Sequence, residues 1–270
     1  MPELPEVETT RNGIEPHLLG QTIQGIIIRQ PRLRWPVPPQ LKQLLPDQQI
    51  HAVERRAKYL LLRMDKGTLI LHLGMSGSLR ILPADTAPGP HDHVDLLFNN
   101  QCLRLRDPRR FGAVLWTQTD PAEHKLIRHL GPEPFSEQFN GSYLHAQSRR
   151  RRIAVKNFIM DGKVVVGVGN IYASEALFRA GICPTRSSNR ISKGRYEKLA
   201  CDIKEVLQEA IAQGGTTLKD FQREDGSAGY FAQHLHVYGR EGEPCRNCGR
   251  PIIKQRIGQR SSFYCSHCQR

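Results

Sequence analysis

The sequence predicts an α+β protein in which an antiparallel β-sandwich or barrel is followed by helices and a small cysteine-bearing tail. Between residues 22 and 117, short apolar runs and alternating stretches such as Leu103-Arg104-Leu105 are separated by turns, which is typical of antiparallel strands. After Gly131 the apolar positions follow a helical period. Four of the seven cysteines lie from Cys245 onward, which marks the tail as a separate module.

Helix signals lie on both sides of the strand region. Pro5 suits the first turn of a helix that Gly20 ends. Further along, one helix is predicted to begin at Asn170 as its N-cap, and a longer one to run from about Ser192 to Gln213. The Pro- and Gly-rich stretch at residues 131–134 predicts the domain linker between strands and helices.

The charge balance is strongly basic. Lys and Arg number 39 against 26 Asp and Glu, a net charge of +13 in 270 residues. A chain this basic is expected to bind a polyanion, most commonly nucleic acid, although an ordinary basic surface stays open as an alternative. No apolar run approaches the ~18 residues of a membrane span, and the glutamate-rich start predicts no secretory signal.

The tail carries the most specific spacing in the chain. Two CxxC pairs, Cys245/Cys248 and Cys265/Cys268, are separated by 16 residues, which predicts one tetrahedral four-thiolate zinc site. Two disulfides or idle thiols are the alternative. Arg256 and Arg260 lie between the pairs, where a hairpin tip is expected to present them to phosphates or to a groove.

Other basic and glycine-rich segments are less specific. Residues 149–152 are four consecutive arginines, which indicate either a phosphate track or a solvated helix start. Residues 167–170, Gly-Val-Gly-Asn, precede a helix and suit an anion, although a plain turn explains them equally well.

The N-terminus combines an amine with carboxylates. Removal of Met1 would leave Pro2 as a secondary amine able to attack a carbonyl carbon, with Glu3 and Glu6 close by to donate or relay protons. The residues alone favour a plainer interpretation, a helix start whose acidic residues match the helix dipole.

Three further segments each allow more than one interpretation. Lys58 is a second amine, a phosphate ligand or an exposed strand-end lysine. The His91-Asp92-His93 loop indicates a phosphate contact or structural histidines more than a metal site. The turn at residues 107–112 carries two arginines and Phe111, which is either a wedge for a base stack or a core residue.

Taken together, these segments resemble one family. PELPEVET at 2–9, RRAKYLLL at 55–62, HLGMSGSLR at 72–80, DPRRFG at 107–112, GVGNIYASEALF at 167–178 and the closing finger occur in order. Over essentially its whole length the chain resembles formamidopyrimidine-DNA glycosylases, and its PEL start resembles them more than the related endonuclease VIII.

The resemblance implies three domains: an N-terminal catalytic β-sandwich at residues 2–131, a helix–two-turn–helix domain at 132–237 and a zinc finger at 238–270. It implies excision of oxidised purines, namely 8-oxoguanine and formamidopyrimidines, from double-stranded DNA. Strand cleavage by successive β- and δ-elimination is then expected to follow.

Site residues follow from the same resemblance, position by position. Pro2 matches the nucleophile that forms a Schiff base with the sugar, and Glu3 matches the acid in base removal and ring opening. Lys58 and Arg260 match the groups that assist the two eliminations. The expected DNA contacts are His91, Arg109, Arg151 and Asn170, with Met75, Arg109 and Phe111 filling the hole left by the flipped nucleotide. The stretch Phe221–Tyr238 matches a mobile loop over the flipped base.

Two other functions stay open: an endonuclease VIII-like glycosylase for oxidised pyrimidines, and a zinc-ribbon DNA-binding protein without chemistry. We expect one structural zinc ion, no small-molecule cofactor and no membrane association. We also expect a monomer that acts in the bacterial cytoplasm, at the nucleoid during repair.

Overall fold

The computed structural model describes residues 2–215 and 234–270 of the chain. Of these, residues 2–128 and 213–215 belong to one compact unit, and residues 129–212 and 234–270 belong to a second. Of the predicted loop at Phe221–Tyr238, residues 221–233 lie outside the described residues.

The first unit begins with a helix and continues as strands, as predicted. Helix α1 (Leu4–Leu18) has Pro5 in its first turn. The strands are β1 (Gly25–Ile28), β2 (Ile50–Arg56), β3 (Tyr59–Met64), β4 (Gly67–His72), β5 (Ser78–Pro83), β6 (Asp92–Leu97), β7 (Gln101–Arg106) and β8 (Ala113–Thr117), with the short helix α2 (Leu41–Leu44) after β1.

These strands form two four-stranded antiparallel sheets, with orders β1-β6-β7-β5 and β2-β3-β4-β8. Leu69 and Leu71 of one sheet and Leu103 and Leu105 of the other line the same small apolar cavity, so the inner faces pack on each other. Alternating side chains from both sheets therefore fill one core, and the arrangement is a sandwich rather than a barrel.

The second unit is helical and ends in a hairpin. Its elements are α3 (Gly141–Ser148), α4 (Val155–Ile159), α5 (Asn170–Arg179), α6 (Lys193–Ala212), β9 (Ile253–Ile257) and β10 (Arg260–Tyr264). The predicted long helix is confirmed as α6, whose apolar stripe is buried. The prediction that Asn170 is an N-cap is wrong, because Gly169 occupies the cap and Asn170 is the first helical residue.

Among residues 2–215 and 234–270, none of the helices combines the length and the apolar character that crossing a bilayer requires.

Candidate active site and nucleic-acid interface

The N-terminal residues lie buried at the start of α1. Glu3 is the N-cap residue and is 2% exposed, and its backbone N–H donates to Glu6 Oε2 at 2.8 Å. Pro2 is buried as well. The predicted helix start is therefore confirmed, and it brings the Glu6 carboxylate to the residue that follows Pro2.

Lys58 lies in the tight turn between β2 and β3, directly after Ala57, which adopts the left-handed conformation with φ of 55°. The neighbouring strand pairs Tyr59 with His72. Burial, reinforced by the positive charges of Lys58 and Arg34, lowers the pKa of His72 to about 4. The imidazole is thus neutral near pH 7, close to two positive charges.

His72 also has a defined tautomer. Its Nδ1 accepts a hydrogen bond from the Gly74 backbone N–H at 3.0 Å. A neutral imidazole that accepts at Nδ1 carries its proton at Nε2, so His72 is a donor without a charge. The residues alone had not marked His72 as a candidate, although its place beside Lys58 in the hairpin was a usable signal.

Asp107, which directly follows β7, joins two of the predicted DNA-contacting loops. Its Oδ1 accepts from Ser76 Oγ at 3.0 Å, and its Oδ2 accepts from the Gly112 backbone N–H at 2.7 Å. Ser76 Oγ in turn accepts from the Arg109 backbone N–H at 3.3 Å. These hydrogen bonds connect the loop that carries Met75 to the loop that carries Arg109.

The same loops touch along their backbones. Gly74 has φ of 64°, and a Cβ added there would lie 2.4 Å from the carbonyl carbon of Phe111, so a side chain has no room. Phe111 is 42% exposed, and the Arg109 guanidinium carbon lies 5.0 Å from its ring centroid. The core interpretation of Phe111 is therefore wrong, and an aromatic side chain with a cation above it faces solvent.

His91 lies beside this cluster. It is exposed and left-handed, with φ of 74°, and its carbonyl oxygen accepts from the Asp107 backbone N–H at 3.0 Å. The buried His93 contacts the Asp107 carbonyl through Nε2 at 2.9 Å. The structure therefore places His91 beside the loops that carry Met75, Arg109 and Phe111, and their contact with DNA stays a prediction.

The arginine run follows α3, so the helix-start interpretation of these residues is wrong. Arg151 Nη1 donates to Asp161 Oδ2 at 2.8 Å, and its guanidinium carbon lies 5.7 Å from the Phe158 ring centroid. These contacts fix the orientation of Arg151, and a guanidinium with five N–H groups keeps further donors for an anion.

Asn170 and a buried lysine hold the finger hairpin. Asn170 Nδ2 donates to the Ser261 carbonyl at 2.9 Å. Lys156, which is 1% exposed, donates to Ser262 Oγ at 2.7 Å and to the Ser261 carbonyl at 3.3 Å. Arg260 is exposed as the first residue of β10 after the hairpin turn, as predicted for the tip.

The four tail cysteines meet in one cluster, with all Sγ atoms within 4.8 Å of one another. Cys245 and Cys268 approach to 3.9 Å, and Cys248 and Cys265 to 3.4 Å, and none forms a disulfide. Thiolates at about 2.3 Å from a tetrahedral ion lie about 3.8 Å apart. The donor set therefore fits one metal ion, and among the described residues it is the one such group found.

Glu175 is a second residue that the sequence did not reveal. It is 2% exposed on α5, whose residues 171–178 are all buried. Its carboxylate accepts from the backbone N–H groups of His236, Val237 and Tyr238 at 2.8 to 3.0 Å. Its place within the mostly apolar run at residues 171–178 was the signal available in the sequence. Its carboxylate anchors the segment that leads into the finger.

Three family models match successive parts of the chain. Residues 1–114 match "Formamidopyrimidine-DNA glycosylase N-terminal domain", and residues 130–222 match "Formamidopyrimidine-DNA glycosylase H2TH domain". Residues 242–270 match "Zinc finger found in FPG and IleRS".

Relatives match over the full length. A formamidopyrimidine-DNA glycosylase of Syntrophotalea carbinolica is 60% identical over 271 residues, covering 100% of both chains. A Lactococcus lactis Fpg solved with DNA that contains an abasic site has a TM-score of 0.92 at 34% identity, covering 99% of each chain. Another Lactococcus lactis Fpg structure, with DNA that contains FAPY-dG, has a TM-score of 0.91 at 34% identity and the same coverage.

Proposed function

Because the chain belongs to the formamidopyrimidine-DNA glycosylase family of DNA repair enzymes, we propose that it removes oxidised purines from double-stranded DNA and then cleaves the strand. The observation that carries the proposal is the buried Pro2-Glu3 start of α1 in a chain that matches its relatives from end to end. The substrates are 8-oxoguanine and formamidopyrimidines, which fits the lesion named in the Lactococcus lactis complex.

The chemistry begins at Pro2 after Met1 is removed. The lone pair of the secondary amine forms a bond to the C1′ carbon of the deoxyribose, and the bond to the damaged base breaks, with Glu3 supplying the proton. The proton left on the Pro2 nitrogen passes through Glu3 to the ring oxygen O4′ as the C1′–O4′ bond breaks, and this ring opening gives a cationic imine. This cation accepts electrons during β-elimination on the 3′ side and δ-elimination on the 5′ side, assisted by Lys58 and Arg260.

The enzyme must first expose the damaged nucleotide. A base inside a duplex is unreachable, and extruding it costs a few kcal/mol. We propose that Met75, Arg109 and Phe111 fill the space left in the duplex by the extruded base, because hydrogen bonds connect their loops and Phe111 is exposed. Filling the gap offsets the lost stacking.

Phosphate contacts are expected to hold the DNA. His91, Arg151 and Asn170 supply donors, and one hydrogen of the Asn170 amide nitrogen satisfies Ser261 while the other remains for a phosphate oxygen. The partner is lesion-containing double-stranded DNA, and the protein acts as a monomer in the bacterial cytoplasm. We infer that the four cysteines hold zinc, which would stabilise the finger, since four thiolates leave no position open for water.

The test compares lesions under single-turnover conditions with protein that lacks Met1. Release from an 8-oxoguanine:cytosine duplex is expected to exceed release from a thymine-glycol:adenine duplex, and the products are expected to carry phosphate at both ends of the gap. The matched control is Glu3→Gln, which should lose base release yet still cleave a preformed abasic site. Faster release of thymine glycol would make this a pyrimidine enzyme, and no release from either would leave a DNA-binding protein without chemistry.

A further inference from the structure

Asp107 is a completely buried carboxylate that the proposed chemistry does not use. Its side chain is 0% exposed, and it accepts one hydrogen bond from Ser76 and one from the backbone of Gly112. A carboxylate removed from water needs such donors, so both loops are held in the positions that provide them.

The backbone of Asp107 adds a third segment. Its N–H donates to the His91 carbonyl at 3.0 Å, and its carbonyl accepts from the Arg110 N–H at 3.1 Å and contacts His93 Nε2 at 2.9 Å. One residue therefore connects the segments at 74–76, 91–93 and 109–112. These are the segments that carry Met75, His91, Arg109 and Phe111.

The segments fit closely around this residue. A Cβ at Gly112 would lie 2.9 Å from Asp107 Oδ2 and 2.8 Å from the His72 carbonyl. His91 and Arg110 are both held at positive φ, 74° and 56°, which non-glycine residues rarely adopt. Backbone strain of this kind persists when the surrounding contacts determine it, and here the hydrogen bonds of Asp107 do so.

We propose that Asp107 is a positioning residue that fixes Met75, Arg109 and Phe111 as one preformed wedge, and that base extrusion depends on it. The inference rests on the proposed function. Loops that are ordered before DNA binds lose less freedom on insertion, so more of the contact energy of the wedge remains to hold the duplex open. Asp107 contacts neither the sugar nor the base in this proposal and acts through the three side chains.

The test separates extrusion from chemistry by changing the DNA. Single-turnover excision is measured on 8-oxoguanine opposite cytosine and on 8-oxoguanine opposite a tetrahydrofuran residue, where no base pair has to be broken. Asp107→Ala should slow excision from the paired duplex by about tenfold and from the unpaired duplex by much less. Asp107→Asn, whose oxygen can still accept from the Gly112 N–H while its amide nitrogen donates to Ser76 Oγ, should restore part of the rate on the paired duplex.

Two further variants keep the test decisive. Asp202→Ala removes another buried carboxylate, which Lys198 contacts on α6, and should leave the paired-to-unpaired ratio unchanged. Ser76→Ala removes one hydrogen bond of Asp107, together with the one that Ser76 accepts from the Arg109 N–H, and should reproduce the selective loss at smaller size if Asp107→Ala does not fold.

Equal losses on the two duplexes, or no loss in Asp107→Ala or Ser76→Ala, would overturn the positioning role while leaving the proposed function intact. Failure of the wild-type protein on both duplexes would instead overturn the proposed function, and the positioning role with it.

Discussion

At the scale of single residues, the roles expected for Pro2 and Glu3 came from the resemblance to a family, because the residues alone favoured a plain helix start. The roles of Asp107 and Glu175 could not be assigned from the sequence, since each accepts hydrogen bonds from residues far away along the chain, and the state of His72 depends on its burial in the folded protein. Asp107, for example, accepts a hydrogen bond from Ser76, which lies 31 positions away in the chain. Hydrogen bonds of this kind exist once the strands have paired, and no local pattern encodes them.

A prediction at this scale concerns His72, whose pKa is held at about 4 by burial first and by Lys58 second. Lys58→Gln removes one positive charge, so the pKa of His72 should rise while staying below 6.5 because burial remains. The measurement is an NMR titration of the His72 ring in both proteins. A pKa that stays the same or falls would show that Lys58 does not act on His72.

The lowered pKa of His72 also determines how the stability of the protein changes with pH. Because the folded-state pKa of His72 lies below 6.5, the unfolded chain binds more protons between pH 6.5 and about 4. The stability contributed by the neutral imidazole is therefore present above pH 6.5 and is lost as the pH falls towards 4. In Lys58→Gln this loss should be smaller.

At the scale of elements, the strand and helix order was predictable because the apolar period changes from two to that of a helix after the linker. The N-cap residue of α5 was not predictable, because the Asn170 side chain hydrogen-bonds to the Ser261 carbonyl instead of capping its own helix. The finger was predictable from cysteine spacing alone, yet its attachment through Lys156 and Glu175 was not.

A prediction for the finger follows from its small core. Cys248→Ser should release the metal ion and loosen β9 and β10, since metal binding supplies much of the folding free energy of such a module. DNA affinity should fall by about tenfold as Arg260 and its neighbours lose their fixed positions. Metal content and fluorescence anisotropy with lesion duplex measure the two effects, with the exposed Cys201→Ser as matched control. Unchanged affinity in a metal-free Cys248→Ser protein would show that the finger is dispensable for binding.

At the scale of the whole molecule, composition alone pointed to nucleic acid through the net charge of +13. Composition could not show which side chains contact the DNA, because many arginines form ion pairs with carboxylates within the protein. Arg104, for example, is buried against Asp95. The boundaries at residues 131 and 237 stay predictions.

Salt dependence is the matching whole-molecule prediction. If several phosphates are neutralised on binding, a plot of the logarithm of the association constant against the logarithm of salt concentration should have a slope of about −3 or steeper. Anisotropy titrations between low and physiological salt provide the slope, and an undamaged duplex should give a similar one, since phosphate contacts carry no lesion information. A flat response would contradict a basic DNA-binding surface.

The most direct measurement is borohydride trapping on an 8-oxoguanine duplex, followed by mass spectrometry of the adduct. Protein that begins at Pro2 should form a covalent complex in which the reduced sugar is attached to the Pro2 nitrogen, and protein that retains Met1 should form none there. An adduct on another residue, or equal trapping by the Met1-containing protein, would contradict catalysis by the N-terminal proline.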